Sequence, residues 1–529
     1  MPGVVPRAQD GSRQGGRPPV PPDVRAGGPD RKDRDRFRPA PAHGDLPANQ
    51  PGRRRPGAVG GVATQAARGS GSFTVGQDVE VSIEDVAQGG WCVARPAGLP
   101  VMFVRHALPG ERVVARVTEV TSKFARADAV HVLESSPDRV GAPCPHARPG
   151  GCGGCDWQHA TLPAQRALKA TVITQQLRRL AGIDREVTVE PLPGDAAETV
   201  DIQEPRSAPS APLSSPDPEP RRITASSGTP GLGWRTRVQF AVDRDGVAGL
   251  RGHRSHEVID IGDCLIAHQA VRDLDIPGDD WTGATTVEVA VGGADSTENF
   301  AVTVVEVGET RKVKGKSRPN GSGRLTRPKR TLVEGRPYLA EQAAGRLWQV
   351  SADGFWQVHP AAADTLSAAV VEALAPRPGD TVLDLYCGAG LFAGAVASIV
   401  GPDGAVTGVE SDAGAVKNAR QNLSDCPQAK FLKADVAQAA SAGDLPPARL
   451  VIADPPRTGL AREVVAYLTG DGVAGDTPVE RFAYVSCDPA TLARDLALLI
   501  SGGWTLESLR AFDAFPMTHH VECVASLTR

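Results

Sequence analysis

From residue 73 onward apolar positions recur with a period of two. Val79, Val81 and Ile83 alternate with polar residues until Gly89-Gly90 interrupts the run. Val101-Met102-Phe103-Val104 follows, then a Pro109-Gly110 turn, then Val113, Val114, Val117 and Val120. Such alternation turns one face of each strand toward a core, and Gly and Pro close the turns between strands. Residues 73–135 therefore predict a small OB-like β-barrel. A helix-like stretch spans Leu162–Ala181, and strand patterns return at Arg235–Val242, Thr286–Val291 and Phe300–Val307, which predicts a central α+β domain over residues 136–340. From about residue 341 the pattern changes. Thr381–Tyr386, Ala405–Val409, Leu450–Ala453 and Phe482–Ser486 are short, continuous apolar runs with helical stretches between them. Strands buried on both faces read that way, so residues 341–529 predict a doubly wound, largely parallel, Rossmann-like sheet. The fold class is multidomain α/β.

Three stretches lack any period. Residues 1–72 are rich in Pro, Gly, Arg and Asp and cannot bury enough apolar surface to offset chain entropy, so disorder is expected there. Their clusters Arg31–Arg38 and Arg53–Arg55 suit either a loose RNA-tethering arm or a solvated tail. Residues 193–230, Pro/Ser/Glu-rich, and 311–330, basic with Gly and Ser, read as disordered insertions. The second is either an RNA-backbone contact or a flexible hairpin tip.

Composition narrows the class. With 529 residues and 40% hydrophobic content the chain is long enough for several cores. The net charge of -4 means that any nucleic-acid surface must be local. No apolar run is long enough to span a membrane, and no apolar leader opens the chain, so a cytoplasmic protein without a membrane partner is expected. The nine cysteines are not the dense set of a secreted disulfide scaffold, and a reducing compartment fits them better.

Candidate chemistry concentrates at the ends of the C-terminal strands. Asp384-Leu385-Tyr386-Cys387-Gly388-Ala389-Gly390 is a buried strand entering a glycine turn, where backbone can approach a ligand. Glu410 ends the next strand, where a carboxylate accepts bonds from ribose hydroxyls, and Asp435 lies near the end of the third. A single G-x-G with these acids fits S-adenosylmethionine (SAM) better than NAD, which needs a longer glycine motif. Asp454-Pro455-Pro456-Arg457 ends another strand, and two prolines stiffen its exit. Cys487 ends the next, just before a helix whose first amides favour a thiolate. Glu522 starts the last strand; Cys387 and Cys523 read as core. Apart from these, Cys144, Cys152, Cys155 and the distant Cys264 supply four thiols, suited to zinc or to a [4Fe-4S] cluster. Arg235 and Arg237 share one strand face, which is either a phosphate grip or a solvated surface.

The stretches Asp384–Phe392, Asp454–Gly459, Ser486–Pro489 and Phe515–Glu522 resemble the RNA uracil-5 methyltransferase family, and the resemblance runs from about residue 74 to 529. It implies an N-terminal TRAM barrel, a class I SAM-dependent methyltransferase domain at the C-terminus, and a tRNA or 23S ribosomal RNA substrate methylated at carbon 5 of a uridine. It places the family's nucleophile on Cys487 and its base on Glu522. Its SAM contacts fall on Gln357, Tyr386, Glu410 and Asp454, with Asp435 alongside. It also favours iron–sulfur over zinc on Cys144, Cys152, Cys155 and Cys264. A monomer is expected. His359 stands where the family often has Asn, and Leu391 replaces an Asn that some members use near the cofactor. Two other readings remain: a SAM methyltransferase with another nucleic-acid target, and a non-catalytic RNA-binding protein.

Overall fold

The computed structural model describes residues 72–195, 229–293, 298–308, 328–470 and 478–529. The N-terminal tail up to residue 71, and the insertions over 196–228 and 309–327, lie outside the described residues.

The alternating stretch forms β1 (Asp78–Ser82), β2 (Asp85–Ala87), β3 (Trp91–Ala94), β4 (Val101–Arg105), β5 (Arg112–Val120) and β6 (Phe124–Glu134). They make one six-stranded sheet in the order β1-β5-β6-β4-β3-β2. The sheet closes over its own core: Val81, Val113, Ala115, Val117, Ala125, Ala127 and Ala129, at alternate positions, meet Met102 and Val104. The turn at Gly89 and Gly90 has φ of +87° and +79°. Gly90 is doubly constrained, because a Cβ there would lie 2.8 Å from Cγ of Asp156.

Helix α1 (Leu162–Gln176) and β7 (Val189–Pro191) come next. The central sheet holds β8 (Arg237–Val242), β9 (Ala248–Arg251), β10 (Val258–Ile259), β11 (Thr286–Val291), β12 (Phe300–Glu306) and β13 (Lys329–Gly335), with the short α2 (Gln269–Arg272). Its order is β10-β9-β8-β11-β12-β13. Lys329 and Arg330 thus begin an exposed edge strand rather than ending an insertion. A hairpin, β14 (Tyr338–Ala343) and β15 (Arg346–Ser351), leads to the last unit.

That unit alternates α3 (Ala362–Leu374), β16 (Thr381–Leu385), α4 (Leu391–Val400), β17 (Ala405–Glu410), α5 (Ala413–Asn422), β18 (Ala429–Lys433) and α6 (Val436–Ala442). It continues with β19 (Leu450–Ala453), α7 (Arg462–Thr469), β20 (Arg481–Ser486), α8 (Pro489–Ser501), β21 (Thr505–Asp513) and β22 (Glu522–Thr528). The sheet order is β18-β17-β16-β19-β20-β22-β21-β7. The continuous apolar runs are explained by two cores. Val382, Ile452, Ala483 and Val485 enter one, while Leu383, Leu385, Val451, Ala453, Phe482 and Tyr484 enter the other. β16 to β20 run parallel and β22 is antiparallel to β20, so the carboxyl ends of the five and the amino end of β22 share one rim.

One assignment differs from the pattern. α1 and β7 lie within the stretch read as the central domain, yet Ile173, Leu177 and Val189 pack into a core of the C-terminal sheet. β7 pairs with β21 over three residues only, too short a strand to announce its partner in sequence. Among the described residues, no helix is long and apolar enough to cross a membrane.

Candidate active site

The glycine turn is built by β16, β17 and α4 acting together. Tyr386 has φ of +63°, a left-handed conformation that non-glycine residues hold only when surroundings enforce it. The Tyr386 N–H donates to Val409 C=O on β17 at 2.9 Å. Gly390 opens α4, and a Cβ on it would press to 3.1 Å from Leu423 Cδ1. Gly388, with φ of +54°, faces open space instead. Glu410 reaches across the turn: its Oε2 accepts from Gly388 N at 3.2 Å and its Oε1 from Asp412 N at 2.8 Å.

Asp384, beneath this turn, is fully buried. Its Oδ2 accepts from Ala393 N at 2.9 Å, while Oδ1 has no hydrogen-bond partner. Burial pushes its carboxyl up to about 8, and the charges of Asp454 and Glu410 add to the effect. The sequence reading placed Asp384 in the glycine motif without giving it a role. The available signal was an acid inside an otherwise apolar buried strand.

The remaining candidates line the same rim. Asp454 follows β19, Cys487 follows β20 and Glu522 opens β22. Ser486 pairs with Cys523, so Cys487 leaves the sheet beside the point where Glu522 enters it. Burial raises Asp454 to about 7. Burial also holds Glu522 well above the usual carboxylate range, Asp454 adds to this, and Arg457 opposes it. Cys487 is pushed up to about 12 by burial and then by Glu522, again against Arg457. The start of α8 was expected to favour a thiolate, but Asp488 already caps that helix, accepting from Thr491 N at 2.8 Å. Its negative charge adds to the rise at Cys487. Asp435 sits at the outer end of the rim as the cap of α6, accepting from Gln438 N at 2.9 Å. Gln357 is buried between β15 and α3, two residues after Phe355, which is 71% exposed.

Cys144, Cys152, Cys155 and Cys264 line a single pocket with Arg235. All four thiols are free. Burial raises each of them, to about 11 for Cys144 and about 12 for Cys152, and neighbouring thiols add to those two rises. Cys152 Sγ accepts from Gly154 N at 3.3 Å. Among the described residues, no group of three or more His, Cys, Asp or Glu side chains forms a site for a metal ion.

His359 is not directed at a ligand by its bonds. Its Nδ1 accepts from Ala361 N at 3.1 Å, so Nε2 carries the hydrogen toward Asp195 Oδ2 at 2.9 Å. Asp195 also accepts from Gly231 N at 3.0 Å, so one carboxylate holds both flanks of 196–228. Leu391 is the first residue of α4 and is buried in the core. Arg237 donates to the carbonyls of Ala352 and Gly354 at 3.1 and 2.9 Å, which makes it a brace for the turn before Phe355 rather than a solvated side chain.

Comparison with known proteins follows the same division of the chain. Family models match a TRAM domain at residues 72–130, a methyltransferase small domain at 359–466 and a tRNA (uracil-5-)-methyltransferase at 447–529. An uncharacterized RNA methyltransferase of Streptomyces coelicolor is 45% identical over 86% of this chain and 93% of its own length. One from Bifidobacterium longum is 33% identical over 85% of this chain and 96% of its own. Among solved structures, the tRNA (uracil-54, C5)-methyltransferase of Pyrococcus abyssi, in complex with S-adenosyl-L-homocysteine, aligns with a TM-score of 0.56. It shares 22% identity and covers 85% of this chain and 100% of its own, a likeness of fold.

Proposed function

We infer the reaction from the premise that this chain belongs to the RNA uracil-5 methyltransferase family and is a SAM-dependent RNA methyltransferase. The proposal is that it methylates carbon 5 of a uridine in tRNA or 23S ribosomal RNA, with Cys487 as covalent nucleophile and Glu522 as base. The observation that carries this reading is the gathering of Cys487, Glu522 and Asp454 at one sheet rim, where Cys487 feels the charges of Glu522 and Asp454 and Glu522 feels that of Asp454.

Carbon 5 of uracil is a poor nucleophile on its own. Addition of Cys487 Sγ to carbon 6 forms an S–C bond and moves electron density to carbon 5 through an enolate. SAM, when bound, supplies the electrophilic methyl group that carbon 5 takes. Glu522 then removes the carbon 5 proton; the electrons of that C–H bond restore the ring double bond as the S–C bond breaks. The buried thiol must first lose its proton, and Arg457 is the cation whose charge favours that loss. The target base has to leave its stack to reach the rim.

Gln357, Tyr386, Glu410, Asp435 and Asp454 are the residues proposed to hold SAM. The charges of Asp454 and Glu410 add to the cost of ionising buried Asp384, which suits a ligand bearing positive charge. The same acids would repel a pyrophosphate, which supports SAM over a dinucleotide. The four cysteines are proposed to hold a [4Fe-4S] cluster with a structural role. What supports this reading is the chemistry of the donors, four thiols lining one pocket with an N–H bond to Cys152 Sγ, although their side chains are not gathered into a metal site in this structure. Iron and sulfide analysis with the absorbance spectrum tests this; colourless protein carrying zinc would overturn it.

The decisive experiment uses RNA containing 5-fluorouridine, whose fluorine cannot leave as a proton. A stable adduct at Cys487, mapped by mass spectrometry and absent from Cys487→Ala, is expected. Full methyl transfer by Cys487→Ala would favour a different target such as an exocyclic amine. RNA binding with no transfer from labelled SAM would favour a binding protein.

A further inference from the structure

Glu522 is reached through the connection 514–521 between β21 and β22, and this connection is held almost entirely from outside the sheet. Lys169 Nζ donates to Asp513 Oδ1 at 2.5 Å and to Phe515 C=O at 3.0 Å. Gln165 Oε1 accepts from Met517 N at 2.7 Å. Met517 C=O accepts from Asp156 N and Trp157 N, both at 3.0 Å. Asp156 Oδ2 accepts from His519 N at 3.1 Å and faces His519 Nδ1 at 2.6 Å. All of these partners belong to one segment, 156–169, which starts beside Cys155.

Two features separate this arrangement from ordinary packing. Met517 has φ of +68°, a conformation that needs enforcement in a residue with a side chain. Gln165 and Lys169, one turn apart on α1, are at most 1% exposed, as no amide or ammonium group is unless fully bonded. Apolar residues would pack that helix more cheaply. What the connection carries is His519, then His520 with Nε2 3.4 Å from Arg457 Nη2, then Glu522. The barrel reaches the same points: Arg105 lies 4.0 Å from Asp156, and Gln88 Nε2 donates to Asp488, next to Cys487, at 3.1 Å.

We propose that Asp156, Gln165 and Lys169 are positioning residues that fix Met517 and His519, and through them set Glu522 for removal of the carbon 5 proton. The inference rests on the role proposed for Glu522. Because proton removal follows addition of Cys487, a displaced connection should let the covalent bond form and then stall.

The test takes the full chain with a methyl-accepting RNA and compares Asp156→Ala, His519→Ala, their double variant and Asp156→Asn. Expected for Asp156→Ala is a kcat roughly 10- to 100-fold lower, the loss typical of a hydrogen bond to a charged group. KM for SAM should hold, and a methylated RNA–enzyme adduct should accumulate on denaturing gels. Asp156→Asn keeps an acceptor for His519 and should recover most of the rate. The double variant should be no worse than the worse single. Additive losses, or a slower enzyme without accumulated adduct, would overturn the proposal, as would unchanged kcat in both single variants. S-adenosylhomocysteine binding reports folding; if Asp156→Ala fails it, Asp156→Asn and His519→Gln decide by the same adduct readout. Wild-type protein that makes no 5-methyluridine counts against the role of Glu522 and not against the clamp.

Discussion

Side chains at the rim of the C-terminal sheet oppose one another electrically, and this sets how the protein should respond to pH. Glu522, the proposed base, can take a proton only when ionised, and burial with Asp454 keeps it neutral well above the ordinary 4.5. The rate of methyl transfer should therefore begin to fall, as pH drops, at a pH well above that of an ordinary carboxylate. A pH–rate profile flat from about pH 5 upward, where an ordinary carboxylate is already ionised, would count against Glu522 as base. Asp384 makes a separate prediction about stability. Its folded carboxyl titrates at about 8 against an ordinary 3.8, so the stability it contributes is complete below the lower value and is lost as pH rises through the higher. Asp384→Asn stays neutral and keeps an acceptor for Ala393 N. Without SAM it should melt higher than wild type at pH 8.5, by a margin that shrinks toward pH 4; an equal margin at both would contradict this.

Among the elements, the glycine turn shows two glycines with different duties. Gly390→Ala must force Leu423 and Ala419 aside at positive φ, so it should lower thermal stability and SAM binding together. Gly388→Ala meets no atom, so its cost is conformational and its main effect should fall on ligand binding, read by calorimetry with S-adenosylhomocysteine. Equal losses of melting temperature in both would contradict the distinction. α1 makes a different point. Its pattern is legible as a helix, yet its polar residues Gln165 and Lys169 are among the most buried polar groups of the described residues. Helical spacing told which residues share a face, but not that the face is buried against a connection more than 340 residues away. His359, read as a departure at a ligand site, proved to be the partner of Asp195 for the same reason: its other half is distant in sequence.

For the whole molecule, the buried pair Lys169–Asp513 joins α1 to the C-terminal sheet with both side chains at most 2% exposed. Lys169→Ala leaves Asp513 uncompensated and should cost about 3–5 kcal/mol, measurable as a lower denaturant midpoint at unchanged slope. A cost typical of a surface ion pair, below about 1 kcal/mol, would show that the two parts are not held there. The sequence alone determined what depends on local pattern: the alternation that closes the barrel, the continuous runs that make a two-sided sheet, the glycine turn, and the strand ends bearing Asp454, Cys487 and Glu522. Those are legible because periodicity and turn chemistry act between neighbours. It did not determine that Cys487 rests as a thiol, that Asp384 is an unpaired buried acid, that α1 and β7 complete the C-terminal sheet, or that segment 156–169 grips the approach to Glu522. Only the tertiary structure decided these, because desolvation, charge opposition and long-range hydrogen bonds depend on which distant residues become neighbours.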